Sequence, residues 1–481
     1  MYERHAHFLQ LEVNALHEEL SAKYAEATAL QQENAGLRAE NARLQQRIEE
    51  MTRKSSLKPE RELPAFIKAN VADGPRRRPG RKQGHPAALR PLPGKTDVKQ
   101  EVPLPVDGRG KLCCPHCRAQ LNEVKHHRRL VEDIVPSKIV TTCYHTHSGY
   151  CPSCRKRIES RAEDQPPAAN LPHAQLGINA LATAAVMRVC YRMPLRQITR
   201  LFDDLPGLTL SPAAVSKQLG RLSRWLSGQY DRLQLVLRAA GVVHADETGW
   251  RTNGRNGYLW TLTNAQHTLY HVDGSRSGRV IADLLGEAFG GTLVSDFYAV
   301  YDQFNCPQQK CLTHLLRELR DTVQKRPALA SHPFFKRCKS LVQEMLRLKK
   351  RRMELSQAAY VRQVKSVETR LRNLGGGSWD DADAARLAAR LCKYQDRLTT
   401  FLHNPKVDGT NNAAERALRP AVVMRKITGG SRSESGAQAW AILASVMRTA
   451  QQQGRDVVDT IKELLRASWS GRDTPLLIDT S

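Results

Sequence analysis

The first fifty residues repeat hydrophobic side chains every seven positions. The second register of this repeat holds Asn34 and Asn41 among apolar residues, and buried asparagines at such positions fix partner number and alignment in coiled coils. Residues 1–52 are therefore predicted to form a coiled coil that joins copies of the chain, in preference to a lone amphipathic helix. The first register, broken only by Lys23, comprises Leu9, Leu16, Leu30, Leu37, Leu44 and Met51.

Residues 170–237 have the pattern of consecutive helices. The stretch "MPLRQITRLFDDLPGLTLSPAAVSKQLGRLSRWL" predicts helix, turn and helix, with Ser211 as the N-cap and Pro212 at the first helical position. This order is typical of a helix-turn-helix, which would place Ser216, Lys217 and Arg221 on a DNA-reading helix. A purely structural helical hairpin is the alternative.

From Val242 onward the pattern changes to strands. Apolar runs at 242–246, 257–264 and 268–275 are separated by short polar turns, and "SGRVIADLLGEAFG" follows as a helix that Gly290 should end. "GTLVSDFYAVY" is a further apolar strand. Asp246 and Asp296 each lie where an apolar run ends. Three strands, a helix and a strand are the order of an RNase H-like α/β core, whose first part we assign to residues 238–333.

The remainder of the chain predicts helices around a third acid. Residues 334–402 are expected to form a long antiparallel hairpin inserted into the core, and 403–452 complete the core. Glu415 lies in "DGTNNAAERALRP", on a helix that Asp408 or Thr410 could cap and Pro420 should end. A helix and a tail at 453–481 close the chain.

Four cysteines form two CxxC pairs within residues 101–165. Each pair can present two thiolates from a tight turn, so together they predict one tetrahedral zinc site. Because cysteine fills all four positions, no place remains for a catalytic water, and the Zn²⁺ should be structural. Unpaired thiols are the alternative. The predicted ligands are Cys114, Cys117, Cys151 and Cys154.

Charge and composition narrow the functional class. The 481 residues carry a formal net charge of +26, which favours a polyanionic partner, DNA or RNA, over a membrane surface. No apolar run approaches the ~18–20 residues of a membrane span. Eleven cysteines, an odd number, indicate a reducing cytoplasm.

A Pro/Gly-rich basic linker is expected at residues 53–100. It could follow a DNA backbone or enter a minor groove, or it could be only a soluble charged spacer. Its candidate DNA contacts are Arg76, Arg77, Arg78, Arg81 and Lys82.

The three acids suggest metal-dependent phosphate chemistry. Two neighbouring aspartates repel each other unless a cation lies between them, and Mg²⁺ prefers carboxylate oxygen. Asp246, Asp296 and Glu415 would bind two Mg²⁺ (or Mn²⁺) ions that assist in-line displacement at a phosphodiester. Glu247 is the reserve for Asp246, although it should point to the opposite face of a continuing strand. A cap or a salt bridge is the ordinary alternative for each acid alone.

Several motifs resemble the large transposase of the insertion sequence sixty-six family over nearly the whole chain. This resemblance implies a DDE transposase on an RNase H-like fold, with Asp246, Asp296 and Glu415 as the catalytic triad. It also implies small accessory proteins of the same element. "CLTHLLREL" departs from the family pattern, because a following basic pair is lost. The motifs are "HADETGW", "SRSGRVIADLLG", "LVSDFYAVY", "CLTHLLREL", "NNAAERALRP" and "MRKITGGSRSESGAQAWAILASVM".

We therefore expect an enzyme that cuts transposon ends and joins their 3′-hydroxyls to target DNA, in the bacterial cytoplasm at the nucleoid. A zinc-dependent DNA-binding regulator with an inert core, or a structure-specific nuclease, are the alternatives. Basic residues after the third acid could hold DNA phosphates, and the basic run 349–352 could be a solvated face or a contact with the DNA backbone. The former are Arg416, Arg419, Arg425 and Lys426.

Overall fold

The structure is a computed structural model that describes residues 2–56, 99, 104–112, 114, 116, 117, 119–121, 138–160, 162–166 and 175–470. It divides into two compact units, residues 1–98 and 99–481, and each is described by itself. The predicted basic linker falls almost wholly outside the described residues. The same is true of its candidate DNA contacts, Arg76, Arg77, Arg78, Arg81 and Lys82.

The first unit contains one long helix, α1 (Tyr2–Ser56). At 1.5 Å per residue its 55 residues span roughly 80 Å. The predicted helix is therefore confirmed across the heptad region. Leu20, Leu30, Leu37 and Leu44 remain 49–53% exposed on the single chain.

The second unit combines a mixed sheet with a helical majority. Its strands are β1 (Ser148–Cys151), β2 (Lys156–Glu159), β3 (Val242–Thr252), β4 (Arg255–Thr263), β5 (Thr268–Asp273), β6 (Thr292–Ser295) and β7 (Gln308–Lys310). Its helices are α2 (Ile178–Val189), α3 (Leu195–Asp204), α4 (Pro212–Trp225), α5 (Ser227–Arg238), α6 (Gly278–Leu285), α7 (Leu312–Lys325), α8 (Pro333–Lys350), α9 (Gln357–Gly376), α10 (Ala382–Lys393), α11 (Thr400–His403), α12 (Asn412–Thr428), α13 (Glu434–Gln452) and α14 (Val457–Ser470).

Five strands form the main sheet in the order β5-β4-β3-β6-β7. Within this sheet β4 pairs antiparallel with both β3 and β5. Strand β6 pairs parallel with β3, and β7 pairs parallel with β6. Helix α6 connects β5 to β6 and carries the chain across the sheet, as the parallel pairing of β6 with β3 requires. The predicted succession of three strands, a helix and a strand is thus present.

Two hydrophobic cores hold this unit together. The larger one joins α2–α5 and α12–α14 to the sheet, and Trp250 of β3 stacks on Trp440 of α13 with ring centroids 4.9 Å apart. The smaller one joins α7–α11, with Phe334 and Phe401 fully buried. The inserted helices therefore share a second core with α7 and with Val294 of β6.

The insertion differs from the predicted long hairpin. The stretch before the glycines is two helices, α8 and α9, interrupted at residues 351–356. The Lys349 ammonium donates to the carbonyl oxygens of Phe401 (2.6 Å) and Asn404 (2.7 Å). Lys349 therefore holds the end of α11, where the sequence had suggested a solvated face or a DNA contact.

Two predicted helix ends were also wrong. Helix α6 ends at Leu285 rather than Gly290, because Gly286 adopts a φ of 83° that leaves the helical conformation. Helix α12 continues through Pro420 to Thr428. Proline removes only one backbone donor, and the burial of Ala421 and Met424 on the following turn keeps the helix intact.

The predicted helix-turn-helix elements are present as α3 and α4. Ser211 caps α4 by accepting a hydrogen bond from the Ala214 N–H at 3.1 Å, and Pro212 is the first helical residue, so both predictions are confirmed. No helix in the described part of the chain combines the length and the hydropathy needed to span a bilayer.

Candidate active site

Strand β3 presents its two acids to opposite faces of the sheet. His244, Asp246 and Thr248 alternate with Ala245 and Glu247, as the pleat of a continuous strand requires. His244 and Thr248 both contact α12 through side-chain hydrogen bonds. Asp246, between them, therefore faces α12, while Glu247 faces away.

Helix α12 is attached to β3 at its beginning by Asn411. This fully buried side chain donates to the Ala245 carbonyl at 2.7 Å, and its Oδ1 lies 3.2 Å from His244 Nδ1. The Asn411 N–H also donates to the thiol sulfur of Cys311 at 3.0 Å. Because Glu415 lies one helical turn later, these contacts fix where its carboxylate projects.

The register of two parallel strands places Asp296 beside Asp246. His244 of β3 pairs with Val294 of β6, so residues 246 and 296 each lie two positions further along. Parallel neighbouring strands run ≈ 4.7–4.9 Å apart, so the two side chains emerge at the same edge of the sheet. Asp296 Oδ1 accepts a hydrogen bond from the Tyr298 N–H at 2.9 Å, which orients it just after the strand ends.

Three other acids influence the pKa of Asp246. Burial raises the pKa of Asp246 well above its usual range, and the charges of Glu247, Asp296 and Glu415 raise this pKa further. The Glu247 N–H, donating to Asp246 Oδ1 at 2.9 Å, opposes the shift only in part. The charges of Asp296 and Glu415 therefore both act on Asp246.

Glu415 has two further neighbours on α7. Its Oε1 lies 3.6 Å from His314 Nε2 and 3.4 Å from Arg317 Nη2. His314 and Arg317 are one helical turn apart, so both reach the same carboxylate. Two basic side chains of α7 therefore meet the Glu415 carboxylate.

Glu247 belongs to a separate ion pair. Its carboxylate accepts hydrogen bonds from Arg276 (2.6 Å) and from the Tyr301 hydroxyl (2.5 Å), and its side chain is only 2% exposed. The Arg276 guanidinium stacks on the Tyr298 ring at 4.1 Å. Glu247 therefore positions Arg276 near Asp296 and does not face Glu415.

A second buried ion pair supports the end of β6. Lys310 of β7 is fully buried, and its ammonium lies 3.1 Å from Asp302 Oδ1 and 3.3 Å from Ser295 Oγ. A buried charge of this kind is tolerated only when it is paired and hydrogen-bonded. The pair fixes Ser295, the residue directly before Asp296.

Asp296 opens onto a cavity of about 550 Å³. Asp296 and Tyr298 form part of its lining, together with Arg276, His314 and Arg317. A polar, positively charged space beside clustered carboxylates suits a phosphate group with its counter-ions.

The carboxylates fit a divalent cation. Asp246, Asp296 and Glu415 offer oxygen ligands, and their mutual repulsion is the energetic cost that a cation would remove. Within the described residues no three or more His, Cys, Asp or Glu side chains form a group that could hold a metal ion. Mg²⁺ commonly uses one or two carboxylates and completes its octahedron with water and substrate phosphate, so a group of three protein ligands is not a condition for binding it.

Comparison with known proteins assigns the chain. The sequence model described as "Transposase IS66 family" matches residues 173–439, more than half of the chain and all three acids. The chain belongs to this transposase family. The resemblance predicted from the motifs is thereby confirmed. Membership in the IS66 family implies a transposase role, DNA binding and the use of a divalent metal.

Two relatives of this IS66 family member come from Sinorhizobium fredii (strain NBRC 101917 / NGR234). The uncharacterized protein y4jD is 23% identical over 410 residues, which cover 76% of this chain and 76% of the relative. The uncharacterized protein y4qI is 24% identical over 449 residues, covering 84% of this chain and 77% of the relative. The similarity thus extends beyond the residues that the family model matches.

The structure does not support the zinc site predicted for this transposase. Cys114 and Cys117 form one turn, closed by the Cys114 N–H donating to the Ala119 carbonyl at 2.8 Å, while Cys151 and Cys154 belong to the β1–β2 hairpin. The described residues include all four cysteines yet contain no group of three metal ligands. Residues 138–147, which lie between the two pairs in the chain, are irregular.

The predicted DNA-contacting residues of the IS66 chain differ in accessibility. Arg416, Arg419 and Lys426 are exposed on α12, and Lys217 is exposed on α4, where Arg221 is half-buried. Arg425 instead donates to Thr248 Oγ1 at 3.2 Å and to the Gly249 carbonyl. Its contacts attach the end of α12 to β3, so a phosphate-binding role for Arg425 is not favoured.

Sequence reasoning missed three residues at this site of the transposase. Arg276 lies in the quoted motif "SRSGRVIADLLG", and His314 and Arg317 lie in "CLTHLLREL". The motifs therefore carried a signal for these positions. What was not predictable from spacing is which face of α7 meets Glu415, because that depends on how the helix packs.

Proposed function

We propose that this chain is a DDE transposase that cleaves DNA at transposon ends and joins the resulting 3′-hydroxyls to target DNA. The observation that carries the proposal is the β3–β6 register that places Asp296 beside Asp246, and the charges of Asp296 and Glu415, with that of Glu247, raise the pKa of Asp246. The strand order β5-β4-β3-β6-β7, with β3 parallel to β6, supports an RNase H-like core. Family membership supports the same reaction class.

In this proposal Asp246, Asp296 and Glu415 would hold two Mg²⁺ or Mn²⁺ ions. Ions at such a site supply the positive charge that stabilises the attacking and leaving oxygens of a phosphodiester. The chain needs no covalent nucleophile of its own. Its side chains bind and orient the DNA strand, and the fully buried Asn411 keeps α12 and its Glu415 in place beside the half-buried Asp246.

Cationic side chains around the acids would hold the substrate phosphates. Arg276 and Arg317 both line the cavity next to Asp296, and each is fixed by a carboxylate partner, Glu247 and Glu415 respectively. A guanidinium that is already oriented loses less conformational entropy when it binds phosphate. Exposed Arg416, Arg419 and Lys426 extend positive charge along α12 away from the acids.

The reaction is tested with a labelled duplex that carries the DNA flanking the gene. We expect strand cleavage at the element end with Mg²⁺, none in a chelator, and recovery when Mg²⁺ or Mn²⁺ is restored. Pre-cut ends with a 3′-hydroxyl should join to a target duplex under the same conditions. Cleavage without any joined product would identify a nuclease, and binding without either reaction would identify a regulator with an inert core.

The long helix α1 is proposed to pair copies of the transposase through its heptad seam. Four seam leucines that are about half exposed on the single chain favour burial against a second copy.

Replacing Leu30 and Leu37 together by Glu is expected to convert the oligomer to a monomer, because two charges would face the seam. Sedimentation velocity measures this change. The matched control is Gln32→Glu with Ala39→Glu, which adds the same two charges at heptad positions opposite the seam. A wild-type chain that sediments as a monomer, or a control that also dissociates, would contradict the proposal.

A further inference from the structure

The cavity beside the acids lies between the sheet and the helical insertion. Helix α7 forms one wall through residues spaced every three or four positions, from His314 to Lys325. Helix α10, which belongs to the insertion, contributes Arg386 and Arg390 from the other side. The insertion therefore supplies part of the surface that any occupant of this space would contact.

The charge of the lining favours an anion. Five of the lining residues are Arg or Lys, and three are Asp or Glu. Glu318 accepts hydrogen bonds from both Arg386 (2.6 Å) and Arg390, so one carboxylate serves two guanidiniums. Arg386 also contacts Asp383 at 3.3 Å, yet its side chain remains 46% exposed. An excess of positive charge therefore faces the cavity.

The cavity reaches one of the three acids, Asp296. Asp296, Phe297 and Tyr298 follow one another in the chain and all line this space. The Phe297 ring lies under the Arg390 guanidinium at 5.2 Å, so the α10 wall is in contact with the residue next to Asp296. An occupant of the cavity is thus directly adjacent to a phosphate held at the acids.

We propose that this cavity binds a single DNA strand at the nucleotide next to the phosphate being cleaved, with Arg386 and Arg390 holding the adjoining phosphate. The inference rests on the proposed function and adds a role for the insertion. Spaces of about 300–1,000 Å³ commonly hold ligands of small-molecule size, so this one has room for a nucleotide.

Glu318 has a defined part in this site. It holds two guanidiniums side by side, in the arrangement that a phosphate with several acceptor oxygens also binds. When the strand enters, its phosphate competes with Glu318 for the same donors. Removing the Glu318 charge should therefore strengthen strand binding, whereas removing the arginines should weaken it.

The test is photocrosslinking of the full-length chain to an oligothymidylate that contains 4-thiothymidine, in a chelator so that no cleavage occurs. Crosslinked peptides are mapped by mass spectrometry. We expect crosslinks within residues 296–298, 312–325 or 382–393. Their yield should fall at least about tenfold in Arg386→Gln/Arg390→Gln, the loss expected for one charged hydrogen bond or more.

The matched control is Arg370→Gln, which removes a partly exposed arginine of the insertion that pairs with Glu344 away from the cavity. It should leave the yield unchanged. Arg386→Lys/Arg390→Lys keeps the charge and should retain most of the crosslinking, which guards against loss of fold. Glu318→Gln should raise the yield.

Crosslinks that map only outside these three segments would overturn the inference. So would equal yields from the double glutamine variant and the control, or a fall in Glu318→Gln as large as in the double variant. Because the assay needs no metal and no cleavage, its outcome is independent of the reaction test above. A chain that crosslinks here but never cleaves DNA would overturn the proposed reaction and leave this site standing.

Discussion

An Asp296→Asn variant is expected to lose metal-dependent DNA cleavage by at least about 10³-fold while it still binds DNA. Asparagine keeps the shape of the side chain, and its amide oxygen can still accept the hydrogen bond from Tyr298. It removes one of the negative charges that would hold the cations. A bound metal ion stabilises the transition state by several kilocalories per mole. Each ~1.4 kcal/mol of this stabilisation that is lost slows the reaction tenfold.

The same substitution should not weaken the fold. The charge of Asp296 raises the pKa of buried Asp246, so the two carboxylates destabilise each other when no cation is present. Removing one charge relieves that repulsion. In a chelator at neutral pH, the free energy of unfolding of Asp296→Asn is therefore expected to equal or exceed that of the wild type, measured by urea denaturation.

Asp283→Asn is the matched control for this prediction. Asp283 lies on α6 and forms an exposed ion pair with Arg279 one turn away, which contributes little to stability. Both its activity and its stability should match the wild type. If Asp296→Asn cleaved DNA at a rate close to that of Asp283→Asn, the assignment of the acids would be wrong.

The two aspartates were predictable from the sequence because their positions follow from local patterns. Each comes where an apolar strand ends, and the parallel register of β3 and β6 then places residues 246 and 296 side by side. Alternation along β3 likewise predicted that Glu247 would face away from Asp246. No long-range information was needed beyond the order of strands and helix.

Glu415 was predictable only through its motif. Its place depends on Asn411, which joins α12 to β3 across more than 160 residues of sequence. The predicted ends of α12 and of the insertion helices were wrong for a related reason. Tertiary burial at Ala421 and Met424 carries α12 past Pro420, and the carbonyl contacts of Lys349 cannot be read from a basic run.

The roles of the arginines show the same limit. Arg416, Arg419 and Arg425 look alike in the sequence. Arg425 donates a hydrogen bond to a backbone carbonyl of β3, while the other two are exposed. Arg386 and Arg390 drew no attention in the sequence because the insertion had no predicted relation to the acids. The role proposed for them in holding a DNA strand follows only from the packing of α10 near Asp296.

Asn411→Ala is expected to lower the cleavage rate about 10²-fold with little change in DNA affinity. The side chain joins the start of α12 to Ala245 and His244 of β3. This contact sets how closely Glu415 on α12 approaches Asp246 on β3. Without it the helix can shift, and a displacement of about 1 Å at a reacting centre costs on the order of 10²-fold. Since substrate contacts elsewhere remain, kcat should fall and KM should hardly move.

The same substitution should also cost stability. It leaves the buried Ala245 carbonyl and the His244 ring nitrogen without the partner that Asn411 provides, and each such group costs about 1–3 kcal/mol. We expect the free energy of unfolding to fall by about 2–4 kcal/mol in urea denaturation. Rates are therefore compared at a temperature where circular dichroism shows that the variant is still folded.

The neighbouring Asn412 offers the matched control, since it is a half-buried asparagine at the start of the same helix. Asn412→Ala should retain both rate and stability. A purely structural role for Asn411 predicts lower stability with an unchanged rate per folded molecule, and that result would sink the positioning argument. Loss of rate in Asn411→Ala together with wild-type affinity would instead show that one buried amide sets the distance between the helix-borne acid and the two strand-borne acids.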